Sequence, residues 1–199
     1  MTIPHVRRTA LAVAMTAVLG FLGAPAATAG GFPALALPFT AGQQVYSAGI
    51  HSDDGSTGVE NAIDFSPADR TVRAPLAGTV RLQHCAGGDW VTVDHDGGWR
   101  TGYYHLEGIA VTDGEHVEAG AVLGSTGNAL PCGGSSTGAH VHFTLWTVSG
   151  DGRPVAEPVD GKSIGGWRFT AGAGQYTGTA THLADNAVTQ LPGRFRAKL

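Results

Sequence analysis

The chain has 199 residues, with 31 glycines, only two lysines (Lys162 and Lys198), and 12 basic against 16 acidic side chains for a formal charge of −4. A nucleic-acid binder needs a basic stripe, which this balance excludes, and attachment to an anionic surface would not be driven by net charge. Short apolar runs separated by Gly, Asp and Ser predict an all-β, antiparallel fold.

Residues 1–29 read as a secretory signal peptide: Arg7-Arg8, an apolar stretch from about Ala10 to Gly23, then Ala27-Thr28-Ala29 as a small-residue cleavage site. Glycine and proline interrupt the apolar run, and it falls short of the roughly 20 residues of a membrane span. No cysteine follows the cleavage site to carry a lipid. The mature chain is therefore expected to be exported, with no membrane span, and is taken as a monomer. Residues 1–29 hold two of the basic side chains and no acidic one, leaving ten basic against sixteen acidic, or −6, on about 170 residues. That length suits a single domain. The expected division is a short N-terminal segment over 30–44, the main domain over 45–160, and a C-terminal extension over 161–199 packed on it.

Strands are predicted at Asn61 to Phe65, Thr71 to Ala74, Gly78 to His84, Asp89 to His95, Trp99 to His105, Ala121 to Gly124 and His140 to Val148. Asp96-Gly97-Gly98 suits positive φ and predicts a hairpin between the fourth and fifth of these. Helical character is expected, at most, in a short turn around His182 to Val188. VRAPLAGTV (Val72 to Val80) and GEHVEAGAVLGSTG (Gly114 to Gly127) echo each other weakly, as do the paired halves of a lipoyl or biotinyl carrier. A carrier needs a lysine on the hairpin between the halves, and both lysines lie well beyond it. What the echo predicts is architecture, a duplicated, lipoyl-like hammerhead sheet.

Cys85 and Cys132 are the only cysteines. An even count without metal-site spacing in an exported chain predicts a disulfide, and closing so long a loop is worth about 4 kcal/mol on the chain-entropy model. It would tie the end of the Val80 strand to the loop before His140.

In STGAHVHFTLW, His140 and His142 are two apart in a strand and so share a face. Asp64 lies between Ile63 and Phe65, where a carboxylate is costly unless paired or bound to a metal, and its apolar neighbours should face the other way. His51 precedes it and His105 closes the strand ending GYYH. A His, an Asp and a His-x-His on a β scaffold meet the need of a catalytic zinc, three N or O ligands with a fourth position open. His84, His95, His116 and His182 are read as structural.

His51, Asp64, YYHLEG with His105, and GSSTGAHVHF with His140 and His142 resemble the constellation of the lysostaphin-like (LytM-type) zinc metallopeptidases. The twelve residues between His51 and Asp64 are similar to the branch containing beta-lytic metallopeptidase and staphylolysin. The resemblance covers Val45 to Val148, and more weakly IGGWRF. It implies that His51, Asp64 and His142 hold Zn2+, that His105 and His140 are the unliganded catalytic histidines, and that Tyr104 is a candidate contact to the transition state. Tyr104 would face away from His105 in a regular strand. The resemblance further implies a secreted or cell-wall associated endopeptidase acting on the peptide stems or cross-bridges of peptidoglycan, often at glycine–glycine bonds, with cleavage beside the lactyl-alanine junction or of glycine-rich proteins such as elastin left open. The alternative is a non-catalytic wall-binding or scaffold member, which would have lost a ligand.

Overall fold

The computed structural model describes residues 30–53 and 58–198; the expected signal peptide lies outside them. In chain order the strands are β1 Gln44–His51, β2 Ala62–Pro67, β3 Thr71–Arg73, β4 Gly78–Cys85, β5 Gly88–His95, β6 Trp99–Tyr104, β7 His116–Val117 and β8 Val122–Ser125. There follow β9 Val141–Val148, β10 Pro154–Ala156, β11 Ser163–Ile164, β12 Trp167–Ala171, β13 Gly178–His182, β14 Val188–Leu191 and β15 Gly193–Arg196. All the pairings are antiparallel, as expected for the all-β class. The main sheet runs β15-β1-β2-β9-β6-β5-β4-β7, with β10 on β9; β11 to β14 form a second sheet and β3 pairs with β8.

Register places the functional face. One cross-strand row reads Ile50, Ile63, Phe143, Tyr103, Val91 and Leu82 from β1 through β2, β9, β6 and β5 to β4. Directly opposed residues share a face, so this row builds the core. The next row reads Gly49, Asp64, His142 and Tyr104, and alternation turns it to the other face. Ile63 and Phe65 are fully buried on the core side, where the Phe65 ring meets Phe39, Phe143, Phe169 and Phe195. Phe169 and Phe195 come from β12 and β15, so residues 161–199 supply part of the same core.

The internal echo pairs with itself. β3 lies against β8 and β4 against β7, and matching backbone bonds join Ala74 N–H to the Ala121 carbonyl and Val80 N–H to that of Glu115. The hairpin at Asp96–Gly98 forms as predicted, with Gly97 and Gly98 at φ 76° and 77°.

Several boundaries differ from expectation. The strand predicted to end at His105 stops at Tyr104, because His105 takes φ 66°, a left-handed conformation no strand continues through. His140 precedes β9 and makes an isolated bridge to Gly127. No helix forms at His182 to Val188; that segment is a turn between β13 and β14. β1 was not predicted, because a bulge between Ser47 and Gly49 breaks its alternation: Val45 and Ser47 are buried, then Gly49, Ile50 and His51 in succession. The same shift sends His51 to the face that carries Asp64.

Candidate active site

Asp64 is the centre of the site. Its Oδ1 lies 3.0 Å from His51 Nε2 and 3.1 Å from His142 Nδ1, and all three residues are buried. The carboxyl stays ionised: burial opposes the charge, but the bonds to His142 and His51 outweigh it and hold the group well below the usual carboxylate range. For His142, burial disfavours the cation, yet the carboxylates of Asp53 and Asp64 lift it to about 9.

One donor atom from each of His51, Asp64 and His142 lies within 4.8 Å of the other two. Zinc in a tetrahedral site holds its donors at about 2.0–2.2 Å, hence roughly 3.3 Å apart, and its catalytic sites take three His or carboxylate ligands. The donor set fits that metal. A bare carboxylate oxygen on which two imidazole nitrogens converge is also the arrangement that a divalent cation would relieve of its shared proton.

His105 and His140 stand beside this cluster, their ring centroids 4.5 Å apart. Each gives its Nδ1–H to a backbone carbonyl, His105 to Ala129 at 2.9 Å and His140 to Gly138 at 2.7 Å. In the neutral ring that assignment leaves Nε2 as the acceptor. Burial, opposed by the Ala129 carbonyl and reinforced by His140 and His142, pushes His105 down to about 4, so it is neutral at pH 7. His140 Nε2 lies 3.7 Å from Asp64 Oδ2.

Tyr104, expected to point away from His105, lines the same cleft, because the left-handed turn at His105 breaks the alternation. Its hydroxyl donates to the Gly133 carbonyl at 3.0 Å and accepts from Cys132 N–H at 2.7 Å. Cys132 is bonded to Cys85, with Cα atoms 5.1 Å apart, so the bridge and the tyrosine brace one loop from two sides.

The cleft encloses about 1000 Å³, and several of its walls were not read from the sequence. Trp90 stands over Gly102, where a Cβ would press on its ring, and packs edge-on against Tyr104. Gln175 and Tyr176 arrive from the loop between β12 and β13. The Tyr176 ring stacks on His51 at 4.2 Å, and its backbone comes so close to β1 that a Cβ on Gly49 would sit 2.7 Å from it. Asp53 accepts from His142 Nε2 at 2.7 Å. Only the acidic run Asp53-Asp54 was a visible signal; GAGQYTG carried none. The histidines read as structural lie elsewhere: His95 between the Ala77 carbonyl and Thr101, His182 on Asp185, and His84 and His116 exposed.

A family model described as Peptidase family M23 matches residues 58–157, a span that holds Asp64, His105, His140 and His142 while His51 lies upstream. The chain is 37% identical over 152 residues to Protease LasA of Pseudomonas aeruginosa, covering 70% of this chain and 34% of that protein. It therefore spans about a third of the length of that relative. It is 29% identical over 153 residues to Beta-lytic metalloendopeptidase of Lysobacter enzymogenes, covering 71% of this chain and 82% of that one. The solved structure titled "A Novel M23 Metalloprotease Pseudoalterin from Deep-sea" superposes with a TM-score of 0.70 at 27% identity, covering 82% of this chain and 98% of that one.

Proposed function

The chain belongs to peptidase family M23, and from that premise we propose that it is an exported zinc metalloendopeptidase acting on peptide bonds of bacterial peptidoglycan. The observation that carries the reading is the convergence of His51 Nε2 and His142 Nδ1 on Asp64 Oδ1, beside two histidines whose Nδ1 atoms are committed to backbone carbonyls. His51, Asp64 and His142 hold the metal. Zinc bound there supplies Lewis acidity, acidifying water and polarising a carbonyl.

The protein's own groups do the proton work. With Nδ1 committed to a carbonyl, His105 and His140 each keep Nε2 for the reaction, and either can take a proton within the cleft and return it, as imidazolium, to the leaving amine. The backbone carbonyls of Ala129 and Gly138 hold the rings in that tautomer and stabilise the cation when it forms. Tyr104, with its O–H committed to Gly133, holds the loop rather than the reacting groups.

Export is supported by the signal-like residues 1–29 and by the Cys85–Cys132 bridge, which persists in oxidising compartments. Among the described residues no helix is long and apolar enough to cross a membrane. The resemblance to lysostaphin-like enzymes points to cell-wall peptides, with the glycine–glycine bond as the first target. Small residues, Gly133 to Thr137, line the cleft together with Tyr176 and Gln175.

The test is turbidity loss of purified walls carrying a pentaglycine bridge, run with the zinc-loaded protein and with His140→Ala. Lysis by the unaltered protein alone, with new glycine amino termini, is the expected result. Intact walls in the presence of one bound zinc per chain would sink the substrate assignment.

A further inference from the structure

The two histidines that face Asp64 are backed by consecutive residues of one short segment. His51 gives its Nδ1–H to the Ser52 carbonyl at 3.1 Å, and His142 gives its Nε2–H to Asp53 Oδ1 at 2.7 Å. The two nitrogens of an imidazole ring point in divergent directions. A carboxylate on Nε2 therefore cannot share a cation with Nδ1, which is the atom at Asp64. Asp53 accordingly stands outside the cluster of three converging donors.

Resting on the reading of His142 as a zinc ligand, we propose that Asp53 is a positioning residue: it fixes the His142 tautomer and ring angle so that Nδ1 meets the metal with its lone pair. A carboxylate behind a metal-binding imidazole sets its protonation and raises its basicity, and loss of such a partner typically weakens metal binding 10- to 100-fold.

The segment is held by residues both near to it and distant from it in the chain. Asp53 N–H donates to Asn61 Oδ1 at 3.1 Å, and the Asn61 carbonyl accepts from Leu145 N–H at 3.0 Å, on the same strand as His142. Ser52 N–H donates to Gln175 Oε1 at 2.8 Å, and Gln175 reaches Glu60 with its amide nitrogen at 3.4 Å. Asn61 is fully buried, so the anchor of Asp53 belongs to the body of the fold rather than its surface. The loop between β12 and β13 thus contributes to this side of the cleft through Gln175 without supplying a ligand.

The experiment measures zinc affinity by competition with a chromophoric chelator for the full chain, Asp53→Ala, Asp53→Asn and Asp64→Ala. Asp53→Ala should bind 10- to 100-fold more weakly, and Asp53→Asn, whose amide oxygen still accepts Nε2–H, should recover to within a few fold. In the zinc-loaded unaltered protein, a long-range 15N–1H correlation should show His142 protonated on Nε2. Unchanged affinity in Asp53→Ala, an Asn variant no better than Ala, or a His142 ring without a proton on Nε2 would each overturn the proposal. The tautomer measurement needs no variant, so a misfolded Asp53→Ala leaves the proposal open to refutation. Absence of stoichiometric zinc in the unaltered protein, or undiminished binding in Asp64→Ala, would instead overturn the ligand assignment beneath it.

Discussion

The cleft contains two pairs of histidines: one converges on a shared carboxylate, and the other stands beside it with its ring centroids 4.5 Å apart. His51 and His142 face a shared carboxylate, backed by the Ser52 carbonyl and the Asp53 carboxylate. His105 and His140 are backed by the carbonyls of Ala129 and Gly138, with Ser136 Oγ also 3.5 Å from His140 Nδ1, and they sit where β6 and β9 give way to loops. On the proposed function, identical side chains are divided into metal-holding and proton-handling roles by whether they converge on Asp64 Oδ1. His142 lies inside β9 and His51 ends β1, whereas His105 and His140 lie just outside β6 and β9.

The comparison breaks hardest at Asp64. Asp64→Ala removes the acceptor on which the first pair converges, and it should abolish both stoichiometric zinc, read by atomic absorption, and wall lysis. His105→Ala and His140→Ala should separate the pairs: each retains one zinc per chain while the rate of lysis falls about 10²- to 10⁴-fold, the usual range for loss of a general acid or base. Loss of zinc in either variant would merge the two pairs into one site.

Smaller effects sharpen the contrast between sheet and loop. Replacing both Cys85 and Cys132 by serine should lower the unfolding free energy by about 4 kcal/mol on the chain-entropy model, read by denaturant titration, with zinc stoichiometry unchanged. A variant that lost its zinc would show that the loop supports the metal as well. Tyr104→Phe removes one hydroxyl bridging Cys132 N–H and the Gly133 carbonyl, at a cost of about 1 kcal/mol. Its rate of lysis should change only a few fold; a loss of about 100-fold or more would return Tyr104 to the reacting groups.

Much of this arrangement was legible along the chain. Ile63-Asp64-Phe65 announces a carboxylate on the face opposite the core, and His140-Val141-His142 announces two imidazoles on one face, because a strand alternates its side chains. The fold class, the hairpin at Asp96–Gly98 and the pairing of the echoed halves follow from local signals of that kind. The strand carrying His51 was hidden because its bulge erases the alternation by which strands are recognised.

What the sequence alone determined was therefore the kinds of groups available and the face on which each strand presents them, since both depend on the nearest residues. Tertiary structure decided which nitrogen each histidine turns inward and which residues from elsewhere close the cleft. Asp53 meets His142 across 89 residues, and Ser52 meets Gln175 across 123. Contacts at such separations leave no periodicity in the chain, because register and packing bring the partners together only when the sheet has formed.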